Sequence, residues 1–226
     1  MKIPRAPHRW NVEPREAIAI QRRLAASVRQ TPPRRPIRYI VGVDAAFSHD
    51  GTCCLAAAVL WDTRDRVVLE ERVAARPLTF PYVPGLLSFR EAPAVIAALR
   101  ELRREPDAIV CDAQGYAHPR RFGLACHVGV ICSIPTLGCA KSLLIGEYRE
   151  PAARRGSRTA LRDGGERIGS VLRTRTDVKP VFVSVGHLID LATAERLVLE
   201  CAVRYRLPEP TRLADALVGR VKRSLP

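Results

Sequence analysis

The sequence predicts an α/β sandwich built around a mixed sheet. Three strand-like segments come first with short connections, then helix and strand alternate, and two helices close the chain. Successive strands favour an antiparallel meander, whereas the alternation favours strands joined through helices. The 226 residues are 47% hydrophobic, which suits one domain with a substantial core and excludes a disordered chain. We therefore expect one domain over residues 1–226, in which residues 1–36 form a basic N-terminal helix and linker.

The first elements are a helix, a linker and the meander. Residues 14–29 predict a helix, because Pro14 suits a first turn and apolar residues recur at a 3.6 period, with Gln21 as the one polar interruption. The proline-rich residues 31–36 cannot continue this helix. The three predicted strands of the meander are Tyr39–Asp44, Cys53–Trp61 and Arg66–Val73.

The remaining elements follow a turn-rich segment, Arg76–Gly85. The next helix has apolar residues at the i, i+3, i+4 and i+7 spacing of one face, which are Val95, Ala98, Leu99 and Leu102. The chain then predicts a strand Ala108–Asp112, a helix Phe122–Cys132, a strand Thr136–Cys139, a loop Arg149–Arg158, a hairpin of Ile168–Arg173 with Pro180–Val185, and helices Leu191–Arg204 and Leu213–Lys222.

The charge of the chain points to a polyanionic partner. The net charge is +14, and 33 of the 37 basic residues are arginine. The first 40 residues alone carry ten basic and two acidic side chains. Arginine binds phosphate oxygens in bidentate fashion, so this composition favours nucleic acid. A general replacement of lysine by arginine would explain the ratio of the two residues, but it would not explain the net charge.

The cysteines and the hydropathy pattern indicate a cytoplasmic protein. The odd count of seven, mostly inside apolar runs, is typical of reduced core thiols. No Cys-x-x-Cys occurs, which argues against a structural zinc site. No apolar run approaches the about 20 residues of a membrane span, and the first residues do not resemble a secretory signal. The cysteines are Cys53, Cys54, Cys111, Cys126, Cys132, Cys139 and Cys201.

Two aspartates carry the clearest chemical signal. Asp44 and Asp112 each end a predicted hydrophobic strand, and ligands bind at the carboxyl ends of strands in open α/β sheets. Two neighbouring carboxylates repel each other unless a cation lies between them. Mg²⁺ prefers oxygen ligands and can drive hydrolysis of a phosphodiester. Either aspartate alone would be read as a turn or cap residue, but the pair on a basic chain predicts a metal site.

Glu91 has both a structural and a functional interpretation. Ser88 and Glu91 have the spacing of a helix capping box. Pro93 argues against this box, because it would then fall past the first turn and remove a helical hydrogen bond. We therefore expect the helix to begin later, which leaves Glu91 free for another role.

Several long motifs resemble one family. They are Pro81-Tyr-Val-Pro-Gly-Leu-Leu-Ser-Phe-Arg-Glu-Ala-Pro93, Asp112-Ala-Gln-Gly-Tyr-Ala-His-Pro-Arg-Arg-Phe-Gly123, Pro135-Thr-Leu-Gly-Cys-Ala-Lys-Ser-Leu-Leu-Ile-Gly146, Val183-Ser-Val-Gly-His187 and Tyr205-Arg-Leu-Pro-Glu-Pro-Thr-Arg-Leu-Ala-Asp215. In this order they resemble endonuclease V, the deoxyinosine-directed nuclease family. The resemblance runs from about residue 14 to residue 217, and the number and length of the motifs make it specific.

The resemblance implies a fold, a reaction and a metal site. It implies a ribonuclease-H-like three-layer sandwich, and a Mg²⁺- or Mn²⁺-dependent nick at the second phosphodiester 3′ to a hypoxanthine base, in DNA repair. Four acidic residues match metal-binding or site positions of the family: Asp44, Glu91, Asp112 and Asp215. Lys141 matches a lysine near the scissile phosphate, where an ammonium would offset developing charge. His118 matches a histidine beside the site.

The resemblance also implies a wedge and a base pocket. The wedge that enters the duplex beside the lesion matches Pro81, Tyr82, Val83 and Pro84. A tyrosine between prolines is a stiff aromatic that could stack in the gap left by a displaced base, although a packed turn tyrosine is an equal alternative on the residues alone. The pocket around the extruded base matches segments that contain Gly85, Leu87, Gly115, Gly123 and Leu124. Glycines there would permit close backbone approach.

Some features leave alternatives open. Ala113 stands where the family usually carries glycine, which could tighten the base pocket. An inosine-directed endoribonuclease would use the same residues, and a 2′-hydroxyl at the lesion would distinguish the substrates. A basic lesion-binding module without activity would need a lost acidic ligand, and none is lost. We expect DNA containing deoxyinosine as the partner, no membrane association, and a monomer.

Overall fold

The computed structural model describes residues 1–224 as eight strands and five helices. The strands are β1 (Tyr39–Phe47), β2 (Cys53–Asp62), β3 (Val67–Pro77), β4 (Ala108–Cys111), β5 (Thr136–Ala140), β6 (Arg158–Asp163), β7 (Glu166–Leu172) and β8 (Val181–His187). The helices are α1 (Pro14–Ala25), α2 (Leu87–Arg100), α3 (Leu124–Cys132), α4 (Leu191–Cys201) and α5 (Glu209–Ser224). The predicted sequence of strands, alternating elements and closing helices is confirmed.

All eight strands form one mixed sheet in the order β3-β2-β1-β4-β5-β8-β7-β6. β1, β4 and β5 are parallel to one another, while β2 and β3 on one side and β8, β7 and β6 on the other are antiparallel to their neighbours. Parallel neighbours end at the same edge of a sheet, so the segments that follow β4 and β5 emerge beside the end of β1. The architecture gathers three chain segments at one edge.

Helices cover both faces of the sheet, which confirms the three-layer sandwich. Val41, Val43 and Ile109 share one apolar cluster with α2 and α3. The alternate residues of the same strands face the other way, where Ile40 and Val110 pack with α4, and Leu55 of β2 packs with α5. This alternation follows from the period of two in a strand. α1 lies outside the layers, against α3 and the segment that precedes α2.

The helix α2 begins earlier than the sequence predicts. It starts at Leu87, Ser88 makes no capping bond, and Pro93 lies inside the helix. A proline there removes one backbone hydrogen bond. The apolar face explains why the helix persists, because Phe89, Ala92 and the residues from Ala94 to Leu99 are buried against the sheet and its neighbours. The expected later start was therefore wrong, and Glu91 lies on the helix.

One strand was missed, and several elements differ from their predicted bounds, among them β3, α1 and α5, which begins at Glu209 and not at Leu213. β6 was missed, although the residues between it and β7 are Gly164 and Gly165, both with positive φ. Two glycines in such a loop are typical of a β-hairpin. β3 extends through Arg76, which we expected in a turn, because Arg76 pairs with Cys54 of β2. α1 is shorter than predicted and ends at Ala25.

Gly42 sets how closely α5 approaches the sheet. A Cβ atom on Gly42 would lie 2.1 Å from the carbonyl carbon of Pro210, which is in the first turn of α5. Such a distance is far below van der Waals contact, so the helix backbone rests directly on β1. Any side chain at this position would push α5 away from the strand.

The cysteines are free and most of them are buried. All seven carry free thiols, with Cys53 half-buried at the start of β2 and the other six buried. None of the helices within residues 1–224 combines the length and the apolar character needed to cross a bilayer.

We expect Gly42→Ala to destabilise the protein by about 1–3 kcal/mol, because the added methyl group overpacks the contact with α5. The matched control is Gly219→Ala on α5, where the new Cβ would meet only the end of the Arg223 side chain at 3.5 Å. A helical Gly→Ala change should stabilise the protein by up to about 1 kcal/mol. Thermal and urea unfolding of the two variants should therefore shift in opposite directions. Equal behaviour of both variants would contradict the close packing of α5.

Candidate active site

A cleft of about 550 Å³ opens at the edge of the sheet where the parallel strands end. It brings together most of the residues predicted for the site. The predicted residues that line it are Asp44, Tyr82, Val83, Pro84, Gly85, Leu87, Asp112, His118, Gly123, Leu124, Lys141 and Asp215, together with Ala113. Glu91, Pro81 and Gly115 do not line it. The cleft therefore joins three of the four acidic residues, most of the proposed wedge and most of the proposed pocket in one surface.

The parallel pairing of β1 and β4 places the two predicted aspartates side by side. Val43 pairs with Cys111, and the amide of Asp112 donates to the carbonyl of Val43 at 3.3 Å. Asp44 does not end its strand, as the sequence predicted, because β1 continues to Phe47 along β2. It lies instead where β1 loses β4 as a neighbour. The gap beside β1 beyond that point leaves the carboxylate of Asp44 facing the cleft.

Asp215 and Glu91 reach this region from opposite faces of the sheet. Asp215 lies on α5, which the contact at Gly42 holds against β1. Glu91 lies on α2, on the far side of the sheet. It is close enough for Asp44 and Asp112 to raise its pKa. Four carboxylates, from β1, α2, α5 and the segment after β4, thus lie near one edge of the sheet.

Burial and mutual repulsion disfavour the charged forms of these acids. Burial, followed by the charge of Asp112, raises the pKa of Asp44 to about 7. Burial, followed by Asp44 and Asp112, raises the pKa of Glu91 to about 8. Burial also raises the pKa of Asp112, although Lys141 opposes this shift. The cluster therefore requires positive charge to hold its acids ionised at neutral pH.

Lys141 supplies one such charge. It follows β5 directly, and its Nζ lies 2.5 Å from Oδ2 of Asp112, whose side chain is only 6% exposed. Burial lowers the pKa of Lys141, but the hydrogen bond and charge of Asp112, with Asp215 and Asp44, raise it above its ordinary value. The lysine is a stable ammonium beside the carboxylates.

The donor set fits a hard divalent cation. The candidate ligands are carboxylate oxygens, which Mg²⁺ prefers. Oδ2 of Asp112 is buried and makes no hydrogen bond of regular geometry, despite its short contact with Lys141. As the side chains stand, no three His, Cys, Asp or Glu residues within residues 1–224 are grouped closely enough to ligate one ion. Ligation would therefore require the carboxylates to come closer together.

The predicted wedge stands exposed at one lip of the cleft. Tyr82 is 72% exposed, so it is not the packed turn tyrosine that the residues alone left as an equal alternative. The guanidinium of Arg90 lies 5.9 Å from the Tyr82 ring centroid and 4.6 Å from that of Phe47, while its Nη1 donates to the carbonyl of Phe80 at 2.8 Å. Arg90 therefore links the wedge segment to the end of β1. No role was predicted for Phe47, whose ring supports this arginine.

Gly85 and Gly123, both predicted for the base pocket, line the cleft. Gly85 has φ of +78°, which glycine adopts without strain. Its carbonyl accepts a hydrogen bond from Nε2 of His118 at 3.0 Å, and Nδ1 of His118 accepts from the amide of Arg120. Burial and Arg120 lower the pKa of His118 to about 4, so the imidazole is neutral and positions the glycine. Gly115 instead allows close contact with β8, since its Cβ would lie 2.2 Å from the carbonyl oxygen of Val185.

Sequence reasoning missed several residues that line the cleft. Gln114 donates to the carbonyl of Ser142 at 3.0 Å and so steadies the residue after Lys141. Leu143 and Leu144 line the cleft and are 42% and 48% exposed, a signal visible in the sequence only as an apolar pair after a lysine. Gln21 also lines it. The polar interruption that Gln21 makes in the apolar stripe of α1 was the signal that could have identified it.

Three other histidines, His8, His127 and His187, support the fold around the cleft. His127 is fully buried, and it bonds the hydroxyl of Ser88 at 2.9 Å and Nε2 of His8 at 2.7 Å. His187 accepts from the backbone amide of Arg29 at 3.3 Å. These contacts indicate a structural role for His127 and tie the N-terminal segment to α2 and α3.

Comparisons with known proteins identify one family that matches most of this chain. The family model described as Endonuclease V matches residues 22–216. An endonuclease V of Trichormus variabilis is 52% identical over 214 residues, which cover 94% of this chain and 97% of that protein. The crystal structure of the endonuclease V of Streptomyces avermitilis is 44% identical, with a TM-score of 0.91, and the match covers 98% of this chain and 96% of that one.

A more distant structure shares the fold. The endonuclease V of Ciona intestinalis was crystallised in complex with a 24mer DNA containing an inosine followed by a ribo-adenosine. It is 23% identical to this chain, with a TM-score of 0.81, and the match covers 92% of this chain and 97% of that one.

The raised pKa of Glu91 predicts a pH dependence of stability. Its ordinary value is 4.5 and its value in the fold is about 8, so the folded protein resists ionisation of this acid. The contribution of Glu91 to the free energy of unfolding is fully present below pH 4.5 and is lost as the pH rises towards 8. Glu91→Gln should remove this loss, and at pH 8 we expect it to exceed the wild type by about 1 kcal/mol or more, roughly 2–4 °C.

Thermal melts in chelator between pH 5 and pH 8 measure this difference. Glu101→Gln, at the C-terminal end of the same helix, is the control and should leave the profile of the wild type unchanged. If the difference between the melting temperatures of the wild type and Glu91→Gln is the same at every pH, Glu91 is not a buried acid of this cluster.

Proposed function

Because the chain belongs to the endonuclease V family, we propose that it nicks nucleic acid containing hypoxanthine at the second phosphodiester on the 3′ side of that base. The chain is an endonuclease and hence a phosphodiester hydrolase. The proposed role is repair of DNA in which adenine has been deaminated to hypoxanthine. One observation carries this proposal: a single cleft joins an acidic cluster to an exposed aromatic wedge and a glycine-walled pocket.

The acidic cluster would hold the metal ion that this family of nucleases needs. We assign Mg²⁺, with Mn²⁺ as a substitute, to Asp44, Asp112, Glu91 and Asp215. Such an ion activates water for attack and stabilises charge on a phosphodiester. Lys141 would turn its ammonium from Asp112 towards a phosphate oxygen and offset the charge that develops there. Its contact with Asp112 keeps it close to that position before substrate binds.

The wedge and the pocket would recognise the lesion. Tyr82 would fill the gap in the duplex, with Pro81, Val83 and Pro84 holding it rigid. The displaced base would enter the pocket, which we assign to Gly85, Leu87, Gly123 and Leu124. Gly115 supports this pocket from behind through its contact with β8, and His118 positions Gly85. Ala113 lines the same cleft, so its methyl group would narrow the space for the base.

The charge and the thiols of the chain support a proposal for its partner and its compartment. The net charge of +14 supports binding to DNA. Free thiols suit the reducing cytoplasm, which we propose as the compartment. We propose that the protein acts as a monomer and as a single domain.

The decisive experiment uses end-labelled strands that contain one inosine, as DNA duplex, single-stranded DNA and RNA, each with Mg²⁺ and with Mn²⁺. We expect one nick, at the second phosphodiester 3′ to inosine in DNA, and no nick in matched strands that contain adenine. Cleavage of the RNA strand alone would show that the substrate is RNA and not DNA. Equal cleavage of inosine and adenine strands would refute the proposed specificity.

Asp112→Asn should abolish cleavage and leave DNA binding intact or tighter. An amide oxygen is a weaker ligand for a hard cation than a carboxylate, and the loss of one negative charge reduces repulsion of phosphate. A gel-shift titration in Ca²⁺ and a cleavage time course in Mg²⁺ separate the two effects. Asp65→Asn, in the exposed turn between β2 and β3, is the control and should behave as wild type. Near wild-type cleavage by Asp112→Asn would remove Asp112 from the metal site.

Tyr82→Ala should slow cleavage of inosine duplexes more than cleavage of inosine single strands. Only the duplex has a gap to fill, and the lost stacking should cost about 1–3 kcal/mol. The ratio of the two cleavage rates measures the effect. Tyr148→Ala removes another exposed tyrosine, which lies outside the cleft, and it should leave the ratio unchanged. Equal losses on both substrates would contradict the wedge assignment.

A further inference from the structure

Gln21 is the polar residue on the apolar face of α1, and it is fully buried. Burying an amide side chain is costly unless its polar atoms find partners. An alanine or leucine would complete the apolar stripe and would suit a helix whose only task is to pack. The position of Gln21 therefore calls for an explanation from its contacts.

The amide of Gln21 is committed at both ends. Its Nε2 donates to the carbonyl of Gly85 and to the carbonyl of Phe122, both at 3.1 Å. Its Oε1 accepts from Nε of Arg120 at 2.6 Å. Two acceptors on one side and a guanidinium on the other fix the orientation of the amide. No group other than an amide of this length could make all three bonds.

These partners belong to two walls of the base pocket. Gly85 follows the wedge, and Phe122 precedes Gly123 at the start of α3. One nitrogen bonded to both carbonyls keeps the two oxygens within about twice a hydrogen-bond length of each other. Among residues 1–224, no other side chain bonds both carbonyls. The Gly85 carbonyl also accepts from Arg120 at 2.7 Å and from His118 at 3.0 Å, so that wall is fixed from three directions.

We propose that Gln21 is a positioning residue for lesion recognition, which sets the distance between the wedge-side wall and the α3-side wall of the base pocket. This proposal rests on the proposed function, since it assumes that the pocket receives hypoxanthine. Gln21 makes the N-terminal helix part of the recognition site rather than only a basic arm for DNA. Loss of its amide should widen the pocket and weaken discrimination, while contacts between arginines and phosphates remain.

The test compares affinities for inosine and adenine strands in Ca²⁺, for wild type and Gln21→Met. Methionine has the same length and no group for the two carbonyls. We expect the ratio of the two affinities to fall about tenfold, as for one or two lost hydrogen bonds, with adenine-strand affinity unchanged. Gln21→Glu keeps the partner for Arg120 but loses both donors, so it should lose discrimination while remaining folded.

The control is Leu24→Ala, which removes a buried side chain from the same face of α1. Leucine has no polar group, so this change removes no hydrogen bond to the carbonyls of Gly85 and Phe122. It should lower the melting temperature and leave the affinity ratio unchanged. A Gln21→Met ratio within twofold of wild type overturns the proposal, as does an equal loss of ratio in Leu24→Ala. If neither Gln21 variant folds, Gln21 serves the fold alone and the proposal is wrong. A wild-type protein that does not discriminate inosine refutes the proposed function as well.

Discussion

The contact between Lys141 and Asp112 is the interaction on which the cleft depends. Four carboxylates at one edge of a sheet repel one another, and burial adds to the cost of their charge. The ammonium of Lys141 is the positive charge closest to Asp112 and is itself stabilised by that neighbour. Because β5 ends directly before Lys141, the parallel pairing of β5 with β4 sets the position of this lysine relative to Asp112.

Close contacts also fix the positions of the other parts of the candidate site. The bare backbone of Gly42 lets α5 rest on β1, and this brings Asp215 towards Asp44. Arg90 links the wedge to the end of the same strand through Phe47. The amide of Gln21 ties the wedge-side glycine to the start of α3. The acidic cluster, the proposed wedge and the proposed pocket are therefore joined through β1, α5 and α1.

Local patterns predicted the elements that carry strong periodicity or long apolar runs. The antiparallel meander, the position of Asp112 directly after β4, and the pairing of β7 with β8 all follow from such patterns, whereas Asp44 lies inside β1 and not at its end. The early start of α2 could not be predicted, because the burial of Phe89 and Ala92 outweighs the local penalty of Pro93 only in the assembled fold. The partners of Gln21 lie 64 and 101 residues away along the chain, so no local pattern could supply them.

The distribution of the thiols has a practical consequence for solution studies. Alkylating reagents react with thiolates, and burial raises the pKa of Cys54, Cys132 and Cys201 to about 12. Burial raises the pKa of Cys111, Cys126 and Cys139 as well. Cys53 alone is half-buried. Maleimide dyes should therefore attach at this one position in the native protein, at the start of β2 and outside the lining of the cleft. The wild-type chain thus offers a single labelling handle for fluorescence measurements of DNA binding, with no cysteine to remove beforehand.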